Sequence, residues 1–173
     1  TRRALTLASL GLPTLALPAW ARAPGLFGAT GEFVFEGWAG EPIKVFYAVP
    51  PTFKSDTPIV IVIHGAQRDA DVYRDQWIEP ARASGCLVIC PRFDKDHFPK
   101  EADFSQGRVL DDDGLTPRER WTFSAIEPLF DHVVDRFLSR RKTYRLFVHS
   151  GGSQFVHRFL FLNPRARAER VVM

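Results

Sequence analysis

The chain has 173 residues, 45% of them hydrophobic and 25% charged. These proportions exclude a disordered, collagenous or coiled-coil chain, and two cysteines are too few for a disulfide-stapled miniprotein. The formal charge of +3 resides in Arg2, Arg3 and Arg22; no acid lies among the first 23 residues, and the remainder carries 20 basic against 20 acidic groups. That leaves no footprint for nucleic acid, and the length fits one domain.

Residues 1–23 read as an export signal. The pair Arg2-Arg3 precedes an apolar stretch from Ala4 to Trp20, and Ala21-Arg22-Ala23 fits a small-x-small cleavage site before Pro24. The paired arginines resemble the twin-arginine signals that carry folded bacterial proteins to the periplasm or beyond. Pro13 and Pro18 interrupt a stretch of about 17 residues, at the short limit for a membrane anchor, which with a mitochondrial-type presequence is an alternative reading. No stable membrane insertion is expected after cleavage. Residues 24–173 are then part of a single domain.

Two strand-like segments, 31–38 and 43–49, predict a hairpin, and Pro58-Ile59-Val60-Ile61-Val62-Ile63-His64-Gly65 is a β-branched run of the kind buried on both faces of a parallel sheet. A helix is predicted over about 71–84, closed by Gly85, and a strand over 86–90, ending at Pro91. Cys86 and Cys90 on that strand would stand ~13 Å apart, too far for the ~4.4–6.8 Å of a disulfide. They read as buried apolar residues, with pairing outside this chain as the alternative.

Residues 94–115 carry seven carboxylates and no period. A loop of that length following a strand invites a substrate rim, with Phe98 or Phe104 as apolar contacts. Asp111-Asp112-Asp113 lacks the spacing of a calcium loop and reads as a solvated turn. Thr116-Pro117-Arg118-Glu119 has the form of a capping box opening an amphipathic helix on Phe123, Ile126, Phe130, Val133, Val134 and Phe137. A strand at 144–149, a helix from Gly151 or Gly152 to Pro164, and strand-like Arg170-Val171-Val172-Met173 complete the chain. Strands alternating with helices predict an α/β fold with a mostly parallel sheet, helices on both faces, and an end within about the sixth strand.

Chemistry is concentrated in Val148-His149-Ser150-Gly151-Gly152, between a buried strand and a helix. A serine on so tight a turn projects its hydroxyl from the sheet, and the following N–H faces a developing oxyanion. A glycine-rich turn that holds an anion is the competing reading. The loop after the earlier buried strand, His64-Gly65-Ala66-Gln67, offers a second N–H, from Ala66 first and Gln67 second. His64, Gly65, His149 and Gly152 are supporting residues. No metal-ligand spacing is present.

The His64-Gly65 pair, the 121–130 helix and residues 149–159 together resemble the α/β-hydrolase superfamily, and within it secreted esterases of the polyhydroxyalkanoate-depolymerase and feruloyl-esterase-like kind. The resemblance covers residues 31–173. It implies a Ser–acid–His triad hydrolysing small or polymeric carboxylic esters without metal or organic cofactor. Ser150 would be the nucleophile, with Ala66 and Gly151 as oxyanion donors. The chain departs from that family where Val148 replaces the usual first glycine of the elbow.

The triad is also incomplete. After Ser150 the sequence holds one histidine, His157, and one acid, Glu169. His157 falls two helical turns away, and His64, His97, His132 and His149 precede the serine in the wrong order. The acid and histidine are therefore expected beyond Met173; a non-catalytic binding module on the same fold is the alternative.

Overall fold

The computed structural model describes residues 29–173. The export-signal reading of residues 1–23 lies outside them. Six strands form one sheet in the order β1 (Thr30–Phe35), β2 (Ile43–Ala48), β4 (Leu87–Arg92), β3 (Ile59–Ile63), β7 (Tyr144–Val148) and β8 (Ala168–Val172). β1–β2 and β2–β4 are antiparallel; β4–β3, β3–β7 and β7–β8 are parallel. The expected α/β sheet is present, with the run at 168–172 as its sixth strand.

Alternation along β3 explains why this strand is apolar throughout. Ile59, Ile61 and Ile63 enter one core with Phe130, Val133, Phe155 and Phe159 from α3 (Ile126–Arg136) and α4 (Gly151–Leu162). Val60 and Val62 enter the other, with Ala70 of α1 (Ala70–Gln76) and Ala81 of α2 (Ile78–Ser84). Helices thus cover both faces, and every β3 side chain is withdrawn from water. Cys86 and Cys90 are buried and unbridged, and burial pushes the Cys90 thiol pKa up.

Three local expectations require correction. The single helix over 71–84 is two, because Pro80 has no N–H for the carbonyl of Gln76 and its ring crowds that carbonyl; the break falls at Trp77. The strand expected to stop before Pro91 runs on through Arg92, past Ile89, the last residue paired with β3. The capping box does not open an α-helix. The Thr116 hydroxyl donates to the Arg108 carbonyl at 2.5 Å and its N–H to Val109, closing a small hairpin of β5 (Leu110–Asp111) and β6 (Gly114–Leu115). Two 3₁₀ turns follow before α3 begins at Ile126.

Candidate active site

Ser150 occupies the sharp corner between β7 and α4. Its backbone adopts φ 55° and ψ −119°, a conformation that suits glycine and is unfavourable for any residue with a side chain. The hydrogen bonds from Gly152 N–H to the His149 carbonyl (3.0 Å) and from Ser153 N–H to the Ser150 carbonyl (3.0 Å) start the helix immediately behind it. Val148 is buried at the strand end, opposite Ile63 in register, so valine sits within the ladder and the turn is carried by Ser150 itself. Ser150 and His149 are exposed.

The end of β3 lies against this corner. A methyl group on Gly152 would come within 2.6 Å of the Ile63 carbonyl oxygen and 2.7 Å of that of His64, so only glycine fits there. One on Gly151 would stand 3.3 Å from the Ala66 nitrogen; one on Gly65 would stand 3.5 Å from Ser150 Cβ. The fold therefore brings Ser150, Gly151, Gly65 and Ala66 together from two strands 85 residues apart in the chain. Ala66 and Gln67 are exposed.

His64 is fully buried. Its Nε2 accepts the Phe93 N–H at 3.0 Å, so its proton is on Nδ1, which donates to the Gly65 carbonyl at 2.8 Å. Burial lowers its pKa from 6.5 to about 4, and the ring is neutral at physiological pH. It ties the turn after β3 to the end of β4 and has no nitrogen left for a proton transfer. His149 Nδ1 meets the Tyr73 hydroxyl at 3.0 Å.

The remaining candidates lie elsewhere. His157 is exposed on α4. His97 pairs with Asp94 at 3.0 Å on the surface, and His132 packs between Phe33 and Phe35. Glu169 is engaged by Arg141, Arg145 and Thr143 near the start of β7, the edge of the sheet opposite Ser150. Among the described residues no imidazole or carboxylate hydrogen-bonds the Ser150 hydroxyl, and no group of three or more His, Cys, Asp or Glu could hold a metal. Phe98 and Phe104, expected as apolar contacts on a substrate rim, present no surface to solvent. Both are fully buried, Phe98 stacked on Trp38 and Phe104 beneath His64, because the 94–109 loop turns its aromatic residues inward.

Sequence reasoning missed Tyr73, Arg68 and Phe93. Tyr73 and Phe93 carry no local signal. Arg68 carries only a weak one, as a charged residue closing the turn that begins at Gly65. A cavity of about 790 Å³ opens beside His149, lined in part by Asp69, Tyr73, Trp77 and Phe147.

No protein-family model matches the chain, and no curated protein does. Solved structures do. Poly(aspartic acid) hydrolase-1 from Sphingomonas sp. KT-1 is 43% identical with a TM-score of 0.79, over 82% of this chain and 54% of that one. The poly(3-hydroxybutyrate) depolymerase from Bordetella parapertussis is 26% identical with a TM-score of 0.76, over 82% and 50%. An acetyl xylan esterase from Aspergillus awamori, 14% identical with a TM-score of 0.62 over 83% and 51%, shares the fold. The structural neighbours are α/β-hydrolase esterases and depolymerases. This chain spans about half the length of each.

Proposed function

From this α/β-hydrolase fold, we propose that the protein is a serine hydrolase of carboxylic esters, with Ser150 as nucleophile. The observation that carries the reading is the strained Ser150 corner, set against the Ala66 N–H on one side and a helix N-terminus on the other. The Ser150 hydroxyl adds to the ester carbonyl as its proton passes to a base. The Gly151 and Ala66 N–H groups, with Gln67 as the alternative to Ala66, donate to the oxygen that takes the negative charge. Collapse returns a proton to the departing alcohol and leaves an acyl group on Ser150; water repeats the cycle and releases the acid.

A base and its orienting carboxylate are required, and the described residues bring neither to Ser150. We place both outside these 173 residues, so that the isolated polypeptide is nearly inactive. The two most identical neighbours named above are a poly(aspartic acid) hydrolase and a poly(3-hydroxybutyrate) depolymerase, which favours oligomeric or polymeric substrates here. Export rests on the Arg2-Arg3 segment of the sequence.

The test is a fluorophosphonate probe applied to the full-length gene product. Labelling that vanishes in Ser150→Ala supports the assignment. A folded wild type that takes no label replaces it with the binding-module reading.

A further inference from the structure

Arg68 is placed at a cost on two counts. Its backbone has φ 64°, where a Cβ is unfavourable. Its side chain is 3% exposed, with its nearest carboxylate, Glu101 Oε1, at 4.0 Å on a side chain that is 59% exposed. The Nε atom is buried without a partner. Residues held this way, where a smaller or neutral one would be easier, point to a role for the side chain.

Its contacts converge on the Ser150 corner. The Arg68 N–H closes a turn onto the Gly65 carbonyl at 3.2 Å, with Ala66 and Gln67 between them. Nη1 donates to the Phe93 carbonyl at 2.8 Å. His64 already holds the N–H of that same residue, so both ends of the 64–68 turn are fastened to Phe93. The guanidinium carbon stands 4.0 Å above the ring of Phe104. That ring packs against His64 at 4.9 Å, and its edge lies 3.5 Å from where a Gly151 methyl would be. One side chain therefore joins the turn after β3, the end of β4 and the start of α4.

We propose that Arg68 is a positioning residue for the oxyanion-binding turn. Clamped to Phe93 and seated on Phe104, it holds the Ala66 N–H against the Ser150 corner and adds positive field where the carbonyl oxygen becomes negative. The proposal rests on Ser150 acting as the nucleophile. The guanidinium touches no substrate; its effect passes through the backbone of Ala66.

Arg68→Gly removes the guanidinium without straining the backbone, because glycine accepts the φ of this position. In the full-length gene product acting on p-nitrophenyl butyrate, Arg68→Gly and Arg68→Met are expected to lower kcat about tenfold or more, with KM within about twofold. Arg68→Lys, which restores charge without the planar fork, is expected to recover part of the loss. The rate of fluorophosphonate labelling at Ser150 should fall in parallel. Faster amide hydrogen exchange at residues 65–67 in Arg68→Gly, with the β3 amides unchanged, would locate the effect in the turn. Folded Arg68→Gly that turns over and labels as fast as wild type overturns the proposal alone. Wild type that takes no label overturns the serine-hydrolase reading and the proposal with it.

Discussion

The Tyr73 hydroxyl and His149 Nδ1 lie 3.0 Å apart, although the two residues are 76 positions apart in the chain. Tyr73 comes from α1 and His149 from the end of β7, so this bond ties a helix on one face of the sheet to the residue before Ser150. The same hydroxyl is 3.5 Å from the position of a methyl on Gly65. Burial, and then Asp69, push the phenol pKa up, so Tyr73 keeps its proton.

Tyr73→Phe keeps the ring and removes that bond. A net loss of about 1 kcal/mol is expected, seen as a drop of about 2–4 °C in the unfolding midpoint. Labelling at Ser150 should slow severalfold. An unchanged labelling rate would mean that His149 needs no anchor.

Ser150 carries backbone strain of about 1–3 kcal/mol, and glycine would release much of it. Ser150→Gly should therefore be more stable than wild type by about 1 kcal/mol, after the larger backbone entropy of unfolded glycine, while losing all phosphonate labelling. Chemical denaturation compares the two directly. Lower stability in the variant would show that the corner is relaxed.

Gly152 has no space for a side chain beside the Ile63 and His64 carbonyls. Gly152→Ala must push α4 away from β3, at a cost of about 1–3 kcal/mol for overpacking. Thermal unfolding would register it, and reactivity at Ser150 should fall further than stability does, since the two halves of the site separate. A variant as stable and reactive as wild type would contradict the close approach.

His64 predicts a pH dependence of stability. Its folded pKa is about 4 against 6.5 when unfolded, so between those values the unfolded chain binds the proton and the folded chain does not. Stability should fall as pH drops from about 6.5 to about 4, by about 3 kcal/mol in all, and this contribution should level off below. Urea titrations across that range, set beside His64→Gln, measure it. The variant, weaker at neutral pH, should lose that part of the slope.

The two central strands β3 and β4 were legible because both of their faces are buried and their residues are apolar and largely β-branched. Ile59–Ile63 can be read straight from the sequence, and so can the serine turn between Val148 and Gly151. What was not legible depends on partners distant in the chain. Thr116 has the residue type and spacing of a helix cap, but the Arg108 carbonyl takes its hydroxyl first. Phe98 and Phe104 sit in a polar loop and look like surface contacts, yet the loop folds around them, and Phe104 becomes the floor under His64. Arg68 gives no sign of burial, because its carbonyl and aromatic partners lie 25 residues or more further on.

The pairing of β3 with β7 sets Ile63 opposite Val148. A slip of one residue would turn every β7 side chain to the wrong core, so the smallest tolerable error is two residues. That would carry Ser150 about 7 Å along the sheet, away from the backbone of residues 63–66 that it now faces. The reactivity of the serine is thus a gauge of strand register: a molecule whose central strands have mispaired could be compact and well folded elsewhere, and chemically silent.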